Sequence, residues 1–394
     1  MSINEKDSGY KVIMHLRSSE LTNKIYPPAF YLSRPKIRAI YNVTSSDEVI
    51  DCVQLPYFKE PKATSYPLDL NKGFDQFIFR RNAEPYQLLN KVQKFVLESE
   101  ENVLKLNASQ KTQTCASSAT SCPDKQSALE PTRKQILTTR GLLARVMLTP
   151  YRLKGSEYNS MTFYGTRYCG ILYLTDSKYE FDRLKISSYH SKFVQACYSD
   201  SPDMEPNTDV PVDENNIIYS IYQTTLKEFD LIYSAEIQGI ISDHKINDIH
   251  NLDEINECRF VLTKVVPKKP IGDIFDHPKC LLFWLQSYLA NVNDIFIGVR
   301  NLDGVVNTPV QMKRVEDMPK NRSWQPHICI RFLHTMLSLV EETMANVDCP
   351  YTTYEFKYDS YAKCIKLKIY NGKSEYSLLS EEYIKKCKER TNFK

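Results

Sequence analysis

The chain has 394 residues, of which 42% are apolar and 25% charged, with 26 Tyr and 17 Phe. That length can bury a sizeable core, and that aromatic content is too high for a mostly disordered chain, so a peptide, a tail and a disordered linker are all excluded. Lys plus Arg number 51 against 48 Asp plus Glu, a net charge of +3, so global charge does not argue for nucleic acid and leaves only a local basic groove open.

Eleven cysteines form no CxxC pair and no Cys/His cluster at zinc spacing, and they read as reduced core thiols. The opening MSINEKDSGY has no apolar h-region, and no run approaches the roughly 18 apolar residues of a membrane span, so a soluble intracellular protein is expected. The 11 glycines make neither a GxGxxG nor a GxxxxGKS loop, which removes support for dinucleotide and P-loop nucleotide binding.

In chain order, residues 84–106 place Leu88, Leu89, Val92, Phe95 and Val96 at helical spacing behind a Glu-Pro start. Residues 107–131 are rich in Ser, Thr, Ala and Gln without periodicity and read as a mobile loop. From 136 to 266 the pattern is β-rich, through LLARVML, MTFYGTRYCGILYL, NIIYSIYQTTL, DLIYSAEIQGII and CRFVLTKVV. The acidic, Pro-containing stretch 199–216 interrupts it as a solvated loop. Residues 279–292 and 326–347 carry apolar side chains at helical intervals, 295–301 and 361–371 read as strands, and 380–394 as a flexible C-terminal tail. Mixed α and β in one compact domain spanning 1–394 follows.

Seven segments, taken in order, resemble one family: SRPKIRAIY (33–41), PLDLNKGFDQF (67–77), TRGLLARVMLTPY (139–151), LIYSAEIQGI (231–240), FWLQSYL (283–289), GVRN (298–301) and WQPHICIRF (324–332). The sequence is similar to the DXO-type decapping exoribonucleases, which remove defective 5' ends from RNA. The resemblance implies an α+β, restriction-nuclease-like domain of two twisted, mixed β-sheets with flanking helices.

Cleaving a phosphodiester with two hard divalent cations takes several carboxylate oxygens near the scissile phosphate. Strands supply them because residues i and i+2 share a face. The resemblance implies a Glu-x-Asp strand beside a Glu-x-Lys strand, plus a Glu closing a Gly-x-x-x-Glu segment. Here Glu236 is kept, but Gln238 stands where the family has Asp. Lys264 is kept, but Leu262 stands where the family has Glu, and a register shifted by one gives Val261 and Thr263 instead. In YHSKFVQA (189–196), His190 replaces Gly and Val194 replaces Glu. Arg140 and Gln286 match the family's active-site Arg and Gln. Together with Lys192, Glu236 and Lys264 they are the candidate RNA-binding residues.

Arg140 and Lys264 against Glu236 leave a formal balance of about +1, where the family pattern gives about −2 before metals bind. Such a pocket attracts phosphate and holds Mg or Mn poorly, so no cofactor and no RNA hydrolysis are expected. The plainer alternatives are a Glu236–Lys264 ion pair inside the sheet and a merely satisfied Gln286. His244 and His250 sit in a loop where a metal site is not expected, and Trp284 and Trp324 read as core.

Three functions follow. One is an inactive nuclease fold that binds or shields uncapped RNA 5' ends and scaffolds a complex. The second is a pure protein scaffold, and the third an enzyme using displaced acids such as Asp230, Asp243 or Glu228. Resemblance to a degenerate, insect germline branch of the family further implies a nuclear complex with Rhino and Deadlock. Its implied role is noncanonical transcription of piRNA-source loci, by suppressing termination, splicing and decay.

Overall fold

The computed structural model describes residues 9–16, 31–99, 133–152, 160–177, 184–269, 274–276 and 279–392. The 107–131 loop therefore lies outside the described residues. The strands are β1 (Lys11–His15), β2 (Lys36–Val43), β3 (Val49–Asp51), β4 (Tyr57–Phe58), β5 (Leu68–Asp69), β6 (Lys134–Thr139), β7 (Met161–Tyr168), β8 (Ile171–Asp176) and β9 (Tyr198–Ser199). They continue as β10 (Ile217–Leu226), β11 (Phe229–Glu236), β12 (Gly239–Ile241), β13 (Arg259–Pro267), β14 (Asp294–Arg300), β15 (Val305–Val306), β16 (Gln311–Arg314), β17 (Thr353–Asp359) and β18 (Cys364–Tyr370). The helices are α1 (Pro85–Glu98), α2 (Arg140–Leu148), α3 (Lys185–Gln195), α4 (Leu252–Glu257), α5 (Cys280–Tyr288), α6 (Pro326–Thr343) and α7 (Glu381–Asn392).

Two mixed sheets organise the chain. The larger has ten strands in the order β1-β18-β17-β7-β8-β6-β11-β10-β2-β3; the smaller has the order β5-β15-β14-β13-β12-β4-β9, with β16 paired to β14. Parallel pairs β6/β11 and β13/β14 sit among antiparallel ones. Central strands are covered on both sides, and alternate residues enter different cores, as strand geometry requires. On β11, Leu231 and Tyr233 join the main core with α2, α5 and α6, while Ile232 joins the core under α1 and α7. On β13, Leu262 enters the main core and Val261 enters a third cluster with Tyr189 and Phe193 of α3.

The helix expected from 84 forms over Pro85–Glu98, with Pro at its first turn and a capping box in which Glu84 N donates to Gln87 Oε1 at 2.8 Å. Two expectations are corrected. LLARVML, counted with the β-rich segments, is helical because Thr139 Oγ1 caps Leu142 N at 3.2 Å and the run is dominated by strong helix formers. Residues 189–196, for which no element was expected, lie almost wholly in α3. The stretch 380–394, read as a tail, is helical over Glu381–Asn392 and buries Tyr383, Ile384 and Cys387 against the large sheet. Its many charges hid three apolar residues at i, i+1 and i+4, a single buried stripe.

Trp284 and Trp324 are both buried, 5.3 Å apart. All nine cysteines among the described residues are free. Among those residues no helix is long and apolar enough to cross a membrane.

Candidate functional site

The chain passes from one sheet to the other at Ile237-Gln238. Glu236 ends β11 in the large sheet, and Gly239 opens β12 in the small one. That crossing needs a glycine: a Cβ there would lie 2.4 Å from the Pro56 carbonyl oxygen and 2.7 Å from the Tyr198 ring. Parallel pairing of Thr139 with Ser234 brings the end of β6 alongside, so Arg140, first residue of α2, arrives level with Glu236. Gly239 pairs with Val261, which runs β13, with Leu262 and Lys264, past the crossing.

Glu236 is the carboxylate at the centre of a cationic cluster. Arg80 Nη2 lies 3.3 Å from its Oε2, and Arg140 Nη1 donates to its carbonyl oxygen at 3.3 Å. Burial alone would raise the Glu236 carboxyl, but the charges of Arg80, then Arg140 and Lys264, outweigh it and hold the group below the usual range. The same ion pair raises Arg80 against the opposing effect of burial.

Lys264 is pushed down to about 8, first by burial, then by repulsion from Arg140 and Lys279, with Glu236 opposing. Its Nζ sits 5.6 Å from the centre of the Phe283 ring. His190 falls to about 3 through burial and the neighbouring Lys264, Arg80 and Lys279, so it is neutral at pH 7. Lys91, over the Tyr219 ring at 4.5 Å, is lowered to about 8 by burial and by Arg80, against Asp47.

At position 238 the amide is engaged. Gln238 Oε1 accepts from Thr263 N at 2.7 Å, Thr263 Oγ1 at 3.1 Å and Tyr198 OH at 3.4 Å; its Nε2 lies 3.4 Å from His190 Nε2. Leu262 is 3% exposed in the main core. Val194 follows His190 by one helical turn and packs beside Phe193. Arg140, Glu236, Gln238 and Leu262 line one small cavity of about 10 Å³, room for a single water.

This donor set does not fit a pair of divalent cations. It offers the Glu236 carboxylate, paired with Arg80, one amide oxygen already facing three donors, and two aliphatic side chains; the neighbouring Glu214 carboxylate is taken up by Arg80 N and Ser191 Oγ. Among the described residues no group of three or more His, Cys, Asp or Glu side chains is disposed to hold a metal ion. Nor do the displaced acids converge here. Asp230 is six residues from Glu236 along β11, roughly 20 Å away, and accepts from Gln223 Nε2 at 2.8 and 2.9 Å. Glu228 contacts His334 at 3.1 Å, and Asp243 lies exposed in the loop beyond β12.

Of the sequence candidates, Arg140, Glu236 and Lys264 come together. Gln286 lies three residues beyond Phe283 on α5, and its Oε1 is buried without a hydrogen-bond partner. Lys192 is elsewhere: its Nζ donates to Gln195 Oε1 at 2.8 Å and to the Thr208 carbonyl at 2.9 Å, holding the 199–216 loop to α3. Its candidacy as an RNA contact at this cluster is therefore corrected. It sits two residues from His190, so the helical turn carries it to another face.

That loop is exposed over much of its length, yet it is tied down. Glu205 pairs with Lys62 at 2.6 Å and Asp209 with Lys72 at 2.7 Å. Sequence reasoning missed Arg80, Lys279 and the electrostatic part of His190. The adjacent basic pair Arg80-Arg81, three residues beyond the PLDLNKGFDQF segment, was the available signal.

The profile of the RAI1-like PD-(D/E)XK nuclease family matches residues 33–384. The decapping and exoribonuclease protein Rai1 of Drosophila melanogaster is 21% identical over 333 residues, covering 82% of this chain and 84% of that protein. Protein cutoff of Drosophila melanogaster is 25% identical over 116 residues, 29% of this chain and 30% of that protein. Candida albicans Rai1, solved in complex with pU5 and Mn²⁺, superposes with a TM-score of 0.68 at 14% identity, covering 92% of this chain and 96% of that one. This likeness shows a shared fold of two mixed sheets with flanking helices.

Proposed function

This chain belongs to the RAI1-like PD-(D/E)XK nuclease family, and on that premise we propose that it is a non-hydrolysing member that binds RNA 5' ends through an anion site where its relatives' carboxylates would stand. One observation carries the reading: Arg80, Arg140 and Lys264 surround Glu236, with Lys279 acting on Lys264 and Glu214 a second acid on Arg80, while Leu262 and Gln238 present no carboxylate. Lys264, buried and repelled by Arg140 and Lys279, is stabilised in its charged form by an incoming phosphate, whose oxygens accept from guanidinium and ammonium donors.

Bound there, an uncapped 5' end is shielded rather than cut. The chain then serves as a scaffold in a nuclear complex whose protein partners, by the sequence resemblance, are Rhino and Deadlock. In that complex it promotes noncanonical transcription of piRNA-source loci by suppressing termination, splicing and decay. The 116-residue stretch similar to Protein cutoff motivates this reading, and what separates it from an active decapping enzyme is the expected loss of acids at Val194, Gln238 and Leu262. Cleavage through Asp230 or Glu228 gains no support, because both lie at the far end of the β10–β11 hairpin from Glu236.

Purified protein incubated with 5'-monophosphate, 5'-triphosphate and capped RNA in Mg²⁺ or Mn²⁺ is expected to release no product. It should nonetheless retain the 5'-monophosphate RNA, with affinity falling as salt rises. Turnover that scales with metal would overturn the reading, and so would failure of Lys264→Gln to weaken retention.

A further inference from the structure

Directly before Arg80 in the chain, three aromatic rings cluster at the surface. Phe77 and Phe79 have ring centres 4.8 Å apart, and Phe74 lies 6.4 and 6.1 Å from them. All three rings are partly exposed, and Ile78 between them is 49% exposed. The rings pack on one another and keep part of their faces open beside a charged site, with Ile78 exposed between them, which is the form of a contact surface.

The cluster is also held in place. Ile78 N donates to the Val212 carbonyl at 2.9 Å, Arg80 N to Glu214 Oε2 at 3.0 Å, and Asn215 Nδ2 to the Phe79 carbonyl at 3.1 Å. The 199–216 loop thus clamps the segment on which the rings are mounted. Two exposed cations flank it: Lys185 Nζ stands 5.4 Å from the centre of the Phe74 ring, and Arg81 is next in sequence to Arg80.

The surface is continuous with the cationic cluster, because Arg80 carries the chain from Phe79 to Glu236. We infer that the Phe74, Phe77 and Phe79 rings form a base-stacking platform for the nucleotides of single-stranded RNA that follow a 5' end seated at the Glu236 cluster. The inference rests on the proposed 5'-end reading and adds a second, sequence-tolerant subsite to it. Every base has a π-face, so aromatic rings beside a basic groove suit a strand of any sequence. Continuity with the Glu236 cluster favours the same occupant over an apolar protein segment, since Arg80 joins the two and Lys185 stands over the Phe74 ring to meet a phosphate, although Asp213 beside Arg81 and the exposed Asp75 offset part of the local positive charge.

The test uses fluorescence anisotropy on the full chain with four probes: 5'-phosphorylated oligouridylate of eight residues, the same oligomer with abasic ribose at the second to fourth positions, the complete oligomer with a 5'-hydroxyl in place of the 5'-phosphate, and uridine 5'-monophosphate. Wild type should bind the complete oligomer roughly tenfold or more tightly than the abasic one, the size expected for losing a stacked base. Phe77→Ala should erase that ratio and leave binding of the monophosphate unchanged, while Phe77→Tyr keeps it. Equal binding of the complete and abasic oligomers by wild type, which needs no variant to fold, overturns the platform. Persistence of the ratio in Phe77→Ala overturns it too. If the base preference holds but removing the 5'-phosphate changes nothing, the 5'-end reading fails and the platform stands as a general RNA contact.

Discussion

The side-chain oxygen of Gln238 lies 2.7 Å from the backbone nitrogen of Thr263, a donor that the three-residue β12 is too short to satisfy. A residue at a position where relatives are expected to carry a metal-binding acid thus works as a strand tie between the sheet crossing and β13. Gln238→Ala leaves a fully buried N–H without its acceptor, and should lower stability by about 1–3 kcal/mol. Urea unfolding followed by circular dichroism would measure this; an unchanged midpoint would show that the tie is dispensable.

Restoring an acid at Leu262 tests how far the core has adapted. Leu262 is 3% exposed in the main core, so Leu262→Glu loses the burial of a leucine, about 1.5–3 kcal/mol, and adds the cost of desolvating a carboxyl. Lys264 two residues along offsets only part of that. The variant should unfold several degrees below wild type, read by differential scanning fluorimetry with and without Mn²⁺. A large Mn²⁺-dependent rise in its melting temperature would mean that a metal site remains assembled around it.

The cationic cluster makes anion binding pH-dependent. Lys264 titrates near 8 in the free protein because of burial and the repulsion of Arg140. A bound phosphate favours its charged form and raises that value, so binding takes up a proton at pH values above about 8. Affinity for 5'-phosphorylated RNA should therefore be greatest near pH 7, fall as pH rises through 8 to 9, and fall again below about pH 6, where the terminal phosphate takes up its second proton. Lys264→Arg, charged throughout, should flatten the alkaline limb of the profile in the same anisotropy titration.

The C-terminal helix is part of the fold. Tyr383 is fully buried, its hydroxyl 3.0 Å from that of Tyr173 and its ring 5.9 Å from the Tyr173 ring. Tyr383→Ala should cost about 3–5 kcal/mol, the range for removing a large buried aromatic. Deletion from residue 381 should also expose Leu89, Val92 and Tyr173, which share its apolar cluster. A soluble truncated chain with unchanged unfolding would contradict this.

The sequence by itself determined the α+β class, most strands and the two long helices 279–292 and 326–347, because period-2 and period-3.6 patterns are local properties of the chain. It also raised the expectation that family acids are replaced at Gln238, Leu262 and Val194, read position by position. Where a strong local signal was ambiguous, as in LLARVML, the pattern failed: a short apolar run suits strand or helix, and the Thr139 cap decided it. Charge concealed the buried stripe of the last helix in the same way.

Only the tertiary structure decided what surrounds Glu236. Arg80 lies 156 residues away in sequence and Arg140 96. They meet because β6 pairs in parallel with β11, and because the 212–215 turn pins the segment carrying Arg80. Charges so far apart interact only once the sheets have set their distance, a long-range quantity that no residue's immediate neighbours encode. For the same reason Lys192, promising as a cation in a motif, is spent on Thr208, and the three Phe rings before Arg80 acquire their meaning from the cluster beside them.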